Sequence, residues 1–177
     1  DDPLGFAEGV LAYDLCLAPG ATETVTIAVP RSVPAAQHVA RSRNWADERF
    51  AEAAEAFRSR LAAIPIELPP AAARFRDSLR ASVGWILLNR GGPRIQPGPR
   101  CYRRSWIRDG TLTGTALAEM GFAEEARAFL RWYAPYQHED GRVPCAVDHA
   151  GIDPVAEHDS HGQLAWGVVE VYRLTGD

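Results

Sequence analysis

The sequence predicts a mainly helical protein opened by a short β segment. Three observations carry this prediction. From about residue 44 onward, apolar side chains recur every three to four positions, which is the spacing of one helix face. Between residues 9 and 29, apolar and β-branched residues alternate with small or polar ones, the period of a strand. Finally, short and long connections alternate between the expected helices, as they do along a series of antiparallel helix pairs.

Taken in order, residues 9–17 and 23–29 read as two strands joined by a turn at Pro19 and Gly20. A two-stranded hairpin is marginal alone, so the expectation is the last hairpin of a larger sheet. Pro30 to Pro34 break the pattern. A helix follows over 44–63, with Trp45, Phe50, Ala54, Phe57 and Leu61 on one face. Pro65, Pro69 and Pro70 end it and introduce the next. Phe75, Leu79, Val83, Ile86 and Leu87 then share a helix face up to Gly91 and Gly92. A second long-chain helix is expected from Asp109 or Gly110 to Met120, a third from Phe122 or Ala123 to Tyr136, and a fourth from His161 to Leu174. Gly121 alone separates the second from the third. The connections 93–108 and 137–160 both exceed the roughly 12 residues beyond which loops are usually functional. Alternate loops of antiparallel helices lie at one end of the array, so these two are expected to meet.

Composition narrows the function. The chain has 177 residues, a net charge of -4 and a hydrophobic fraction of 46%, which together fit a globular protein of ordinary size. Nucleic acid and anionic membranes both reward a basic face, so neither is an expected partner. All 19 basic residues are Arg, a genome-wide bias rather than a set of phosphate ligands. Cys16, Cys101 and Cys145 match no metal or redox spacing. A reducing, cytoplasmic setting is expected, and a Cys101–Cys145 bridge stays open.

The two long loops hold the chemistry. The first carries Tyr102, Arg103, Arg104, Trp106, Arg108 and Asp109. Sugar recognition draws on this mixture: an aromatic face for the C–H surface of a pyranose, a carboxylate for vicinal hydroxyls, and a guanidinium fork to donate to others. Asp109 reads equally as a helix N-cap with Arg108 as its ion-pair partner. The second loop carries Gln137, Asp140, Asp148, His149, Asp153, Glu157, His158, Asp159, His161 and Gln163. Asp159 again reads as a cap or as a ligand, and Asp140 with Gly141 as a turn. His158 and His161 straddle a helix start, and no further set completes a metal site, so no metal and no cofactor is expected. Neither Ser105 nor Ser160 sits in a nucleophile elbow.

At this point the order of motifs is informative. Trp106, Arg108, Asp109 and Gly110 resemble the Trp-x-Arg-Asp-(Gly/Ala/Ser) segment of glucoamylase-like and glycogen-debranching-type glycosidases. Gln137, Asp140 and Gly141 resemble their following loop. The run from His158 to Trp166, closed by Thr175, Gly176 and Asp177, resembles their fourth helix. The resemblance covers about residues 70 to 177. It implies an incomplete α/α toroid of the six-hairpin glycosidase type over 69–177, a linker with a helix over 31–68, and a remnant of a β-sandwich domain over 1–30, as in bacterial members. It implies a glycoside hydrolase acting on α-linked glucosides or oligosaccharides with inversion, in which Tyr102, Trp106, Arg108, Asp109, Asp159 and Gln163 bind substrate. Those families carry their general acid and base further along the toroid. Glu157 is the candidate here, but it does not stand at the acid's motif position. The expectation is therefore a piece of a longer protein, inactive alone, whose partners are its oligosaccharide and the remainder of the same protein. A non-catalytic carbohydrate-binding protein on the same scaffold is the alternative. A phosphorylase or a lyase also stays open.

Overall fold

The computed structural model describes residues 9–29, 44–99 and 102–177. The chain divides into two compact units, Asp1–Ala53 and Ala54–Asp177. The described residues are mainly helical, with one small three-stranded sheet. Five α-helices lie among them: α1 (Trp45–Ala62), α2 (Ala73–Leu88), α3 (Ile107–Glu119), α4 (Ala123–Tyr133) and α5 (Ser160–Thr175). No helix among the described residues is long and apolar enough to cross a membrane.

The expected hairpin over 9–29 is not found. The turn is present, with Ala21 N–H donating to the Ala18 carbonyl at 2.9 Å and Gly20 at φ 80°. The flanks carry no strand. The physical reason is burial: Val10, Leu15, Ile27 and Val29 are all exposed, so among the described residues the alternation has no apolar surface to cover and no strand to pair with. Residues 30–43, where the break was expected, lie outside the described residues.

The helices match the periodicity closely. Pro70 opens a short 3-10 turn, Pro70–Ala72, that leads into α2, since a ring without an N–H fits the first turn of a helix. Helix α5 ends at Gly176, whose φ of 74° lets its N–H return to the Tyr172 carbonyl at 2.7 Å. Gly121, at φ 91°, turns the chain between α3 and α4 in one step.

Helix α3 packs against both α4 and α5. Small residues permit this. Gly110 and Gly114 face Phe129 and Ala126 of α4, and Gly167 of α5 faces Thr111. Phe129, Tyr133, Leu117, Ile107, Ile95 and Val147 form the centre of the core, each at 1% exposure or less. Burying each large apolar side chain contributes roughly 1.5–3 kcal/mol. Glu125 of α4 ties in the ends of α1 and α2 through Arg60 and through Arg90, the latter at 3.5 Å. Burial lowers the pKa of Arg90, and the neighbouring Arg60 adds to this.

The two long loops meet as expected, and they do so through a sheet. Strand β1 (Ser105–Trp106) pairs antiparallel with β2 (Ala146–Asp148), Ser105 opposite Val147 and Trp106 opposite Ala146. Strand β2 turns back into β3 (Gly151–Ile152). Below this sheet, Tyr133 is fully buried and its hydroxyl donates to the Pro144 carbonyl at 2.9 Å. Burial, helped by Cys145 and Glu157, pushes the Tyr133 pKa far up, so the phenol stays a donor. Tyr133→Phe should therefore cost about 1–3 kcal/mol, the cost of stranding a buried acceptor. The shift in urea midpoint measures it, and an unchanged midpoint would count against this bond.

Candidate functional site

The site is built where β1 runs into α3. The helix begins at Ile107, with Trp106 as its N-cap residue and no side-chain cap. Asp109 is thus the third residue of the first turn, not the cap expected as one alternative. Its position favours a carboxylate because the helix N-terminus carries partial positive charge. Asp109 is half-buried. Its side chain has no hydrogen-bond or ion-pair partner among the described residues.

Arg108 is not paired to Asp109. It reaches across to the second loop, where Nη1 donates to Asp159 at 2.7 Å and to Glu157 at 3.0 Å. The hydrogen bond to Asp159, then that to Glu157, raises the Arg108 pKa. This corrects the cap reading of Asp159. The residue occupies the N-cap position of α5 but makes no side-chain cap bond, because its carboxylate is turned to Arg108. Glu157, the candidate acid, is held in the same ion pair.

Arg104 makes a second bridge between the loops. Its Nη1 donates to Asp153 at 2.5 Å and its Nη2 to Asp148 at 3.2 Å, and the guanidinium lies over the Trp106 ring at 5.5 Å. Tyr102 stands at 6.2 Å from Trp106, the rings tilted by 47°. Tyr102 is exposed and Trp106 half-buried, so the pair offers an aromatic surface at the mouth of the sheet.

Gln163 lies one turn into α5. Its Oε1 lies 3.2 Å from Thr111 Oγ1, whose single proton is shared with the Ile107 carbonyl at 2.8 Å. This contact links α5 to the first turn of α3. Asp140 forms the expected turn: its oxygens accept from the backbone and side-chain nitrogens of Arg142, which lowers its pKa. The buried thiol of Cys145 is free and donates to the Val155 carbonyl at 3.1 Å. Burial raises its pKa, with Asp153 and Glu157 adding to the effect. Cys101 lies outside the described residues.

Of the residues singled out from sequence, Tyr102, Trp106, Arg108, Asp109, Asp159 and Gln163 all sit on β1, the first turn of α3, the first turn of α5, or the segments leading into them. Asp148 and Asp159, which would have joined the loop histidines around a metal, are each engaged by an arginine. Among the described residues no group of three or more His, Cys, Asp or Glu side chains is placed to hold a metal ion. Sequence reasoning undervalued Arg104, Asp148 and Asp153. Their partners stand 44 and 49 residues apart in the chain, and no local pattern links them. No family model, curated protein or solved structure matches this chain.

Proposed function

We propose that this site binds the sugar ring of an oligosaccharide, as part of a glycoside hydrolase of the six-hairpin α/α-toroid class. One observation carries the reading: Asp109 has no side-chain partner among the described residues, and it lies in a helix turn that starts one residue after the Tyr102–Trp106 aromatic surface. Arg108 and Arg104 each hold two carboxylates of the second loop, so neither depends on Asp109. An unengaged carboxylate accepts from two vicinal hydroxyls, while the aromatic surface covers the C–H face of the ring. Arg108 is exposed in its clamp, and both of its bonds to the second loop leave from Nη1, so Nη2 remains for a ligand.

The substrate class is an α-linked glucoside, and the reaction is hydrolysis with inversion. That reaction needs two carboxyls flanking the scissile bond. Glu157 is engaged by Arg108 and is not assigned as the proton donor. The exposed apolar faces support the toroid reading. Phe75, Trp85 and Leu88 on α2, and Val169, Tyr172 and Leu174 on α5, are all exposed, as inner and outer toroid helices are before their neighbours cover them. The engagement of Glu157 also favours a second reading, a carbohydrate-binding protein without turnover.

Calorimetric titration with malto-oligosaccharides tests the site. Binding is expected, and Trp106→Ala should weaken it at least about tenfold, the ~1.4 kcal/mol scale of losing one aromatic anchor. Unchanged affinity in Trp106→Ala, or no binding by the unaltered protein, overturns the sugar reading. Release of reducing ends from bound oligosaccharide separates the hydrolase from the binding protein.

A further inference from the structure

The geometry points to Arg104 as the positioning residue of the aromatic surface: it locks the Trp106 ring to the hairpin of the second loop. The argument starts with its two carboxylate partners, which are each doubly used. Asp148 Oδ1 accepts from the Ala150 backbone N–H at 2.7 Å, closing the β2–β3 turn, while Oδ2 takes Arg104. Asp153 Oδ1 accepts from the Val155 N–H at 2.9 Å, and Oδ2 takes the other arm of Arg104. The Asp153 N–H itself returns to the Ala146 carbonyl at 3.0 Å. The guanidinium fork therefore spans the two ends of one hairpin, and each end is already fixed by its own backbone bond.

The same guanidinium covers the Trp106 ring. A planar cation held by two carboxylates is restrained from rotating, and the ring beneath it is thereby favoured at one tilt. The side chains of Arg104, Asp148 and Asp153 are about a third exposed or less, which limits competition from water. Lys could not replace this arrangement, because a point charge has no fork with which to reach both carboxylates and no plane with which to cover the ring. The consequence for a ligand rests on the sugar-site reading above; the clamp itself does not.

The chain contains five tryptophans, so the experiment must report Trp106 alone. Full-length protein carrying 5-fluorotryptophan would be compared by fluorine NMR with Arg104→Met, Arg104→Lys and the pair Asp148→Asn with Asp153→Asn, and Trp106→Phe assigns the resonance. The asparagines keep an oxygen for each backbone N–H but lose the charge that holds Arg104. All three alterations should shift and broaden the Trp106 resonance, Arg104→Lys least. The resonances of Trp45, Trp85, Trp132 and Trp166 should stay in place, which a general loosening of the fold would not allow. Malto-oligosaccharide affinity should fall about threefold to tenfold in Arg104→Met. An unmoved Trp106 resonance overturns the positioning role, even where sugar binds normally. A Trp106 resonance that moves in a protein that binds no oligosaccharide supports the positioning role and removes the sugar reading instead. Movement of all five resonances together also overturns the role, since it would make Arg104 a residue of general stability.

Discussion

Gly110→Ala should destabilise the fold by about 3 kcal/mol or more, although helix propensity alone favours the change. Gly110 lies in the first turns of α3. On an isolated helix, Ala there would gain up to about 1 kcal/mol over Gly. In the folded protein the added Cβ would stand 2.0 Å from Phe129 Cζ and 2.4 Å from Cε1. Phe129 is fully buried and packs against Trp132 and Tyr133 at 6.1 and 5.5 Å between ring centroids. The ring has nowhere to go, so α3 and α4 must separate. Overpacking of this kind typically costs about 1–3 kcal/mol and more where the backbone must move. Chemical denaturation measures the change. A midpoint equal to or above that of the unaltered protein would show that the α3–α4 contact is looser than described. Phe129→Leu in the same chain should recover part of the loss, because it removes the ring atoms that collide.

Asp109→Asn should leave the fold nearly intact and remove most of the affinity for oligosaccharide. The carboxylate has no partner among the described residues, so the change strands no donor. The expected structural cost is the lost interaction with the α3 N-terminus, roughly 0.3–1 kcal/mol. The ligand should feel far more. A hydrogen bond to a charged group contributes about 1.5–3 kcal/mol, and an amide in place of the carboxylate also turns a donor towards the sugar hydroxyls. Affinity for malto-oligosaccharides should fall by about tenfold to a hundredfold or more, and under the proposed hydrolase function turnover should be lost with it. Calorimetry and denaturation on the same preparation separate the two effects. Normal affinity in Asp109→Asn would rule out Asp109 as the sugar-gripping carboxylate, whatever Trp106 does.

These two neighbours, Asp109 and Gly110, show how far the sequence could be read. Helices α1 to α5 were legible because apolar residues repeat at the helix period, and Pro70, Gly121 and Gly176 mark their ends by local backbone preference. The meeting of the loops 93–108 and 137–160 was also legible, since it follows from the alternation of short and long connections. The strand reading of 9–29 failed because alternation shows only that a segment suits a half-buried surface. It does not supply the surface, and Val10, Ile27 and Val29 remain exposed.

Within the site, the sequence determined which residue types gather at the start of α3 and before α5: aromatic, guanidinium and carboxylate. It could not determine who pairs with whom. Arg108 precedes Asp109 directly, yet it binds Asp159 and Glu157, 51 and 49 residues away, because the first helical turn points the two neighbours in different directions. Asp159 looked like a cap by position and is an ion-pair partner by geometry. Arg104 was placed in the right loop by the sequence, but nothing local named its partners, since they exist only once β1 lies against the β2–β3 hairpin. Periodicity and turn chemistry are local and are written in the chain. The choice of partners is made by distances between segments, and only the tertiary structure, in which β1 brings Arg104 and Arg108 against the second loop, leaves Asp109 without a partner among the described residues.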